Sequence, residues 1–212
     1  MARTPGSIKA ETHERIVETA ARAIRAHGYA GASVADVMKE AGLTHGGFYA
    51  HFASRDAMVE EAIERAADEG RARLTGVAER AEPGHALEAI VASYLSDRHV
   101  EHPESGCTLA ALGSETARQA PALRRIATRQ VRGLASLLAA QLPGGDTPDN
   151  RDRALTALCG MVGALSLARA VDDPALSRAL RDAVARSIAG DADRTGPRDV
   201  APVPRHRRRR AG

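Results

Sequence analysis

The sequence predicts an all-α protein: an N-terminal three-helix unit followed by a larger helical body, about nine helices in total and no sheet. Three observations carry this. The chain is rich in Ala, Leu, Arg and Glu and poor in β-branched and aromatic residues, with three Tyr, two Phe and no Trp, a composition that lowers the cost of helix and leaves little to favour strands. Apolar residues recur at three- and four-residue spacing along almost every segment. Cap and stop residues bracket those segments at regular intervals.

Residues 1–10, with Pro5 and Gly6, read as a loose leader, and the first helix is expected from Glu11 or Thr12. Ile16, Val17, Ala20, Ile24 and His27 form its apolar stripe, and Gly28 stops it. Ser33 stands where an N-cap belongs, with Asp36 as its capping-box partner, for a short helix Val34 to Ala41 that Gly42 ends. Thr44 is a second cap, opening a short helix to about His51. Ser54 with Asp56 opens a long one, Arg55 towards Ala81, with Met58, Val59, Ala62, Ile63 and Ala66 on one face and Glu82-Pro83-Gly84 as its stop. Further helices are expected near 85–100, 106–118, 121–141, 150–171 and 174–189, separated by His102-Pro103, Pro121 and the Pro143 to Pro148 loop. The last two carry Leu155, Leu158, Cys159, Val162 and Leu165, then Leu176, Leu180, Val184 and Ile188. Beyond Gly190 the Asp, Arg, Gly and Pro content denies a packed core, so residues 191–212 are expected to be a disordered arginine-rich tail.

A length of 212 residues supports a buried core without staples. Cys107 and Cys159 cannot build a disulfide framework, and no signal segment or long apolar run is present, so a cytoplasmic location without membrane contact is expected. The net charge of +3 is unevenly placed. From Arg194 onward seven arginines face one acid, Asp199, a net of +6 that leaves residues 1–193 at −3. Overall basicity is therefore no argument for a nucleic-acid partner, and the functional argument rests on a motif.

That motif is the stretch from Ser33 to Arg55, SVADVMKEAGLTHGGFYAHFASR. Two short helices across a glycine turn, preceded by a supporting helix, let the second short helix enter the DNA major groove. Val34, Val37, Met38, Leu43, Phe48 and Phe52 supply the small core. No acid lies between Ala41 and Arg55, while His45, His51 and Arg55 can donate to phosphate. Gly46 and Gly47 each cost about 1 kcal/mol in a helix relative to Ala, which makes sense where backbone must approach the groove. With Phe48 and Phe52 on one face at i and i+4, Tyr49 falls on another, which favours a phosphate contact over a core position.

Ala41-Gly42-Leu43-Thr44, Gly47-Phe48-Tyr49-Ala50-His51-Phe52 and Ser54-Arg55-Asp56 closely resemble the tetracycline-repressor (TetR) family of bacterial regulators over about residues 11–70. Beyond that stretch only length and an all-helical layout agree. The resemblance implies a DNA-binding unit at 11–70 and a regulatory and dimerisation domain at 71–190. It implies that Thr44 caps the recognition helix and touches phosphate, that His45, Gly46 and Gly47 face base edges, that Tyr49 bonds a phosphate, and that His51 and Arg55 hold the DNA backbone. Ser33 would cap the preceding helix and reach phosphate. It further implies a homodimer through the last two helices, a near-palindromic operator, and release by a small-molecule inducer.

Tyr94, the one aromatic beyond residue 52, and Cys107 are the candidate ligand-binding residues of a body cavity expected to be mainly aliphatic. Tyr94 has a plain core reading beside it. Cys107 follows Gly106 near a predicted helix start, where the dipole could activate a thiol sensor, although an inert buried cysteine is the favoured reading. Cys159 is expected in the core. His99, His102 and Cys107 lack the spacing of a zinc module, and no metal or cofactor is expected. Gly160 and Gly163 would permit close helix packing. An enzyme is disfavoured because no nucleophile elbow, dinucleotide fingerprint, phosphate loop or zincin motif occurs. A ligand-independent DNA organiser would need only the head and the tail, whose arginines could add salt-sensitive affinity.

Overall fold

The computed structural model describes residues 5–192, and the expected arginine-rich tail lies almost wholly outside them. Among the described residues the chain is all helix: α1 (Pro5–Gly31), α2 (Val34–Glu40), a 3-10 segment (His45–Ala50), α3 (Arg55–Arg80), α4 (Ala86–Tyr94), α5 (Asp97–Glu101), a 3-10 turn (Pro103–Ser105), α6 (Thr108–Thr116), α7 (Pro121–Ala139), α8 (Pro148–Ala170) and α9 (Pro174–Ala192). No described helix is long and apolar enough to cross a membrane.

The first helix begins at Pro5, inside the stretch expected as a loose leader. Proline is at ease at a helix start, and the Ser7 hydroxyl donates to Glu11 at 3.0 Å across one turn. Ile16, Val17, Ala20 and Ile24 are buried as their spacing predicts, whereas His27 faces solvent. Gly28 breaks the helix at φ 78°, ψ 174°, a backbone region that glycine alone visits at low cost.

Ser33 accepts from the Asp36 amide at 3.1 Å and caps α2. Gly42, at φ 72°, then turns the chain. The chain continues into a 3-10 segment and not the expected α-helix, closed by Gly47 N–H to Thr44 carbonyl at 3.0 Å and His51 N–H to Phe48 carbonyl at 2.9 Å. Two consecutive glycines weaken the α form there. The expected helix over 85–100 is likewise divided. The Ser96 hydroxyl donates to the Ser93 carbonyl at 2.9 Å and accepts from the His99 amide at 3.3 Å, ending α4 and starting α5.

Two hydrophobic clusters hold the molecule. The first joins α1, α2, the 3-10 segment and α3 as far as Ala67, and takes in Leu112, Leu123 and Ile126 from α6 and α7. The second begins at Leu74 and packs α3, α4, α7 and α8 around Ile90, Leu138, Met161 and Leu165. The long helix α3 runs through both, so the N-terminal unit rests on the body through a continuous rod and through α6.

Candidate functional site

In the N-terminal unit, Phe48 and Phe52 are buried and stack at 5.5 Å. Met38 packs into the same core. Tyr49 touches Phe48 edge-on at 5.3 Å and is otherwise 72% exposed, the largest exposure of any bulky apolar-bodied residue described. Thr44, His45 and Gly46 are exposed beside it and Gly47 is half-buried. Thr44 occupies the cap position with extended backbone, but its hydroxyl makes no cap hydrogen bond, which leaves that hydroxyl free for another acceptor. A Cβ at Gly46 would meet nothing within 4 Å, and one at Gly47 would make only ordinary contacts with Met38 and Thr44. The protein's own packing therefore does not demand glycine at either position.

Three of the expected contact residues are turned to other work. The Ser33 hydroxyl donates to the Asp36 carboxylate at 2.5 Å, so any anion approaching it meets that negative charge. Arg55 is partly buried and donates Nε and Nη2 to the carbonyl of Ala32, at 3.3 and 3.2 Å, and Nη2 to that of Tyr29. These guanidinium donors clamp the α1–α2 corner instead of standing free for phosphate. The His51 ring lies 5.9 Å from His13, with its Nδ1 buried and without a partner. Burial first, then His13 and Lys9, hold its pKa below the usual histidine value, which disfavours a cationic contact.

In the body, Tyr94 and Cys107 come together. Both line a cavity of about 330 Å³ bounded by α3, α4, α5, α7 and the turn before α6. Contrary to the aliphatic expectation, its wall is rich in polar groups, with Arg73, Arg98, His99 and Gln130 beside Leu74 and Leu134. Sequence periodicity could not show this, because these polar residues come from separate segments that meet only in the fold. His99 accepts at Nε2 from the Cys107 amide at 2.9 Å and bonds the Tyr94 carbonyl through Nδ1 at 2.6 Å, an arrangement that places its proton on Nδ1. Burial pushes its pKa down to about 4. With both ring nitrogens committed, His99 is a strut of the cavity wall. Cys107 is buried at the start of α6, with Gln130 Nε2 at 3.9 Å from its sulfur. Cys159, expected in the core, is exposed on α8 because α9 covers the neighbouring face at Gly160, where an added Cβ would lie 3.2 Å from Val184.

Periodicity and motifs did not single out the residues that tie this cavity to the N-terminal unit. Arg25, buried in α1, donates to the Gly106 carbonyl at 3.5 Å. The Tyr29 amide donates to the Glu115 carboxylate and its hydroxyl bonds Thr116, each at 3.1 Å. Within the body, Arg73 donates to the Ser105 carbonyl at 2.9 Å, and Arg169 holds the carbonyls of His99 and Val100. An arginine inside an apolar stripe was the available signal for Arg25, at one turn from buried Ala21.

Residues 16–62 match the family described as bacterial regulatory proteins, tetR family. No curated protein sequence matches the chain. Solved structures do. A TetR-family transcriptional regulator from Cytophaga hutchinsonii superposes with a TM-score of 0.74 at 23% identity, covering 87% of this chain and 96% of that one. A TetR transcriptional regulator from Chloroflexus aurantiacus gives 0.73 at 24% identity, over 86% and 96% of the two chains. A transcriptional regulator from Rhodococcus gives 0.67 at 27% identity, over 84% and 94%. The two short helices built on Phe48 and Phe52 thus lie inside a stretch, residues 16–62, that is similar to the tetR family of bacterial regulatory proteins, and the helical body as a whole shares the fold of these solved regulators.

Proposed function

We propose that the chain is a ligand-responsive repressor that binds a near-palindromic operator as a homodimer. In this reading residues 11–70 form the DNA-binding unit and 71–190 the regulatory and dimerising domain. The observation that carries the DNA contact is Tyr49, 72% exposed beside the free Thr44 hydroxyl and the uncovered backbone of Gly46. Tyr49 and Thr44 would take phosphates, while His45, Gly46 and Gly47 would face the bases. Arg55 and His51 would position that surface from behind, and Ser33 would act as the cap of α2.

Dimerisation is supported by the outer face of α8 and α9, where Leu155, Leu167 and Leu176 are 41%, 53% and 46% exposed. Gly163 on α8 has open space around its Cβ position, so a second copy could approach closely there. Ligand response is supported by the bonds from the cavity wall to α1. A ligand that moves the Ser105–Cys107 turn pulls on Arg25 through Gly106, and any shift of α6 pulls on Tyr29 through Glu115 and Thr116. The ligand then favours whichever spacing of the two DNA-binding units it binds better.

Footprinting of the purified protein on DNA flanking its own coding region tests this. Two protected half-sites related by a dyad and separated by about one helical turn or a multiple of it support the reading. Continuous, sequence-indifferent protection contradicts it.

A further inference from the structure

The cavity that holds Tyr94 and Cys107 has an excess of hydrogen-bond donors and positive charge. Arg73 and Arg98 line it, and no carboxylate does. Two further guanidiniums, Arg25 and Arg169, are packed against the Gly106–Cys107 backbone behind it. Each retains a buried nitrogen without a partner, Arg25 Nε and Arg169 Nη1. The acids whose fields reach these two cations are Glu69 and Glu104. Neither lines the cavity, and each already has a partner: Glu69 lies 3.9 Å from Arg65, and Glu104 lies 3.0 Å from the His102 ring nitrogen Nδ1.

The strongest pointer is Tyr94. Tyr94 is 2% exposed, it lines the cavity, and its hydroxyl has no partner beyond the weak Cys107 sulfur beside it. A buried hydroxyl left unsatisfied is costly and uncommon in a native core. His99 cannot relieve it, since both ring nitrogens are bonded to backbone. Gln130 Nε2 has only the weak Cys107 sulfur as an acceptor. The wall thus presents the Tyr94 hydroxyl, the Gln130 amide and two guanidiniums as donors, with the hydroxyls of Ser93, Ser96 and Ser105 as its neutral polar groups and no carboxylate among them, beside the apolar surface of Leu74 and Leu134.

We propose that this cavity binds a small organic anion, with a carboxylate or sulfonate seated between Arg73, Arg98 and the Tyr94 hydroxyl and a compact apolar body against Leu74 and Leu134. The volume of about 330 Å³ lies at the low end for small-molecule sites, which suits a single ring or a short chain. A charged acceptor meets the donors present and offsets the unbalanced guanidiniums, whereas a neutral or cationic ligand of the same size would not. This deepens the ligand-responsive reading above and rests on it for its regulatory meaning, though not for the binding itself.

The test uses the full chain and benzoate as the probe, with benzamide as its neutral counterpart of equal shape. At about 10 mM and matched ionic strength, benzoate is expected to raise Tm by about 3 °C or more, and benzamide by less than about 1 °C. Arg73 and Arg98 are exposed side chains, so the R73Q/R98Q double variant should fold normally and lose the benzoate shift. Tyr94→Phe removes a hydroxyl whose one neighbour is the weak Cys107 sulfur, so it should fold about as well as the parent and bind benzoate roughly tenfold more weakly. Equal shifts from benzamide and benzoate, no shift from benzoate, or a benzoate shift that survives in R73Q/R98Q would each overturn the anion site. A parallel measurement of DNA affinity separates the two readings. Benzoate binding with unchanged DNA affinity sustains the anion site and defeats ligand control through it, while absent benzoate binding leaves DNA recognition untouched.

Discussion

Replacing Gly28 by alanine should destabilise the protein out of proportion to the single methyl group added. The break in α1 holds Gly28 at φ 78°, ψ 174°, and a side chain in that region costs of order 1–3 kcal/mol. The new Cβ would also lie 2.7 and 2.9 Å from the two Glu115 carboxylate oxygens. Glu115 cannot retreat freely, because it accepts the amide of the buried Tyr29 at 3.1 Å. Weakening such a charge-assisted bond costs a further ~1 kcal/mol or more. The sum is roughly 2–4 kcal/mol, or about 5–12 °C in Tm for a chain of this size. Thermal unfolding at fixed protein concentration reads it directly. Gly113→Ala is the control: that residue lies in α6 two positions before Glu115, and its Cβ position has nothing within 4 Å, so alanine should stabilise by ~1 kcal/mol there. A Gly28→Ala variant that melts within about 1 °C of the parent would refute the reasoning, since α1 would then continue unbroken and the Glu115 link would not exist.

Arg55→Gln should lower Tm by several degrees without DNA present, through loss of guanidinium bonds to Tyr29 and Ala32 worth about 1.5–3 kcal/mol; a variant with parental Tm but a shallower salt dependence of DNA binding would instead make Arg55 a phosphate ligand. His99 has a folded pKa of about 4 against 6.5 when free, so on acidification the unfolded chain binds its proton first. Its contribution is complete above pH 6.5 and is lost as pH falls from there towards 4, a decline on the order of 3 kcal/mol seen in denaturant titrations. His99→Gln should flatten that limb, and an unchanged limb would contradict the buried neutral imidazole. Leu155→Glu, on the exposed face of α8, should shift sedimentation from dimer towards monomer, and a persistent dimer would move the interface elsewhere.

Much of this fold was legible because short-range chemistry decides it. The caps at Ser33 and Ser54, the turn at Gly42 and the break at Gly28 are each fixed by one residue's backbone preference. The buried stripe of α1 follows from spacing alone. Competition between local forces was harder to weigh: whether Gly46-Gly47 would tip a turn from α to 3-10, or Ser96 would divide a helix, depends on balances of about 1 kcal/mol. Long-range partners were not legible at all. Arg55 reads as a free cation at a helix start until the Tyr29 and Ala32 carbonyls are found above it. The exposure of Cys159 depends on which face α9 covers, and the donor-rich wall of the body cavity depends on the meeting of α3, α5 and α7.

The central claim is that the surface around Tyr49 reads a specific DNA sequence. Selection of binding sites from random duplex DNA at a stated salt concentration, carried out with the parent chain and with Tyr49→Phe, tests it most directly. The predicted result is one enriched site with dyad symmetry, bound about fivefold or more weakly by the variant, as expected for a lost hydroxyl–phosphate hydrogen bond of ~1 kcal/mol. Recovery of no enriched sequence, or equal affinity of the two proteins for the site, would contradict the account.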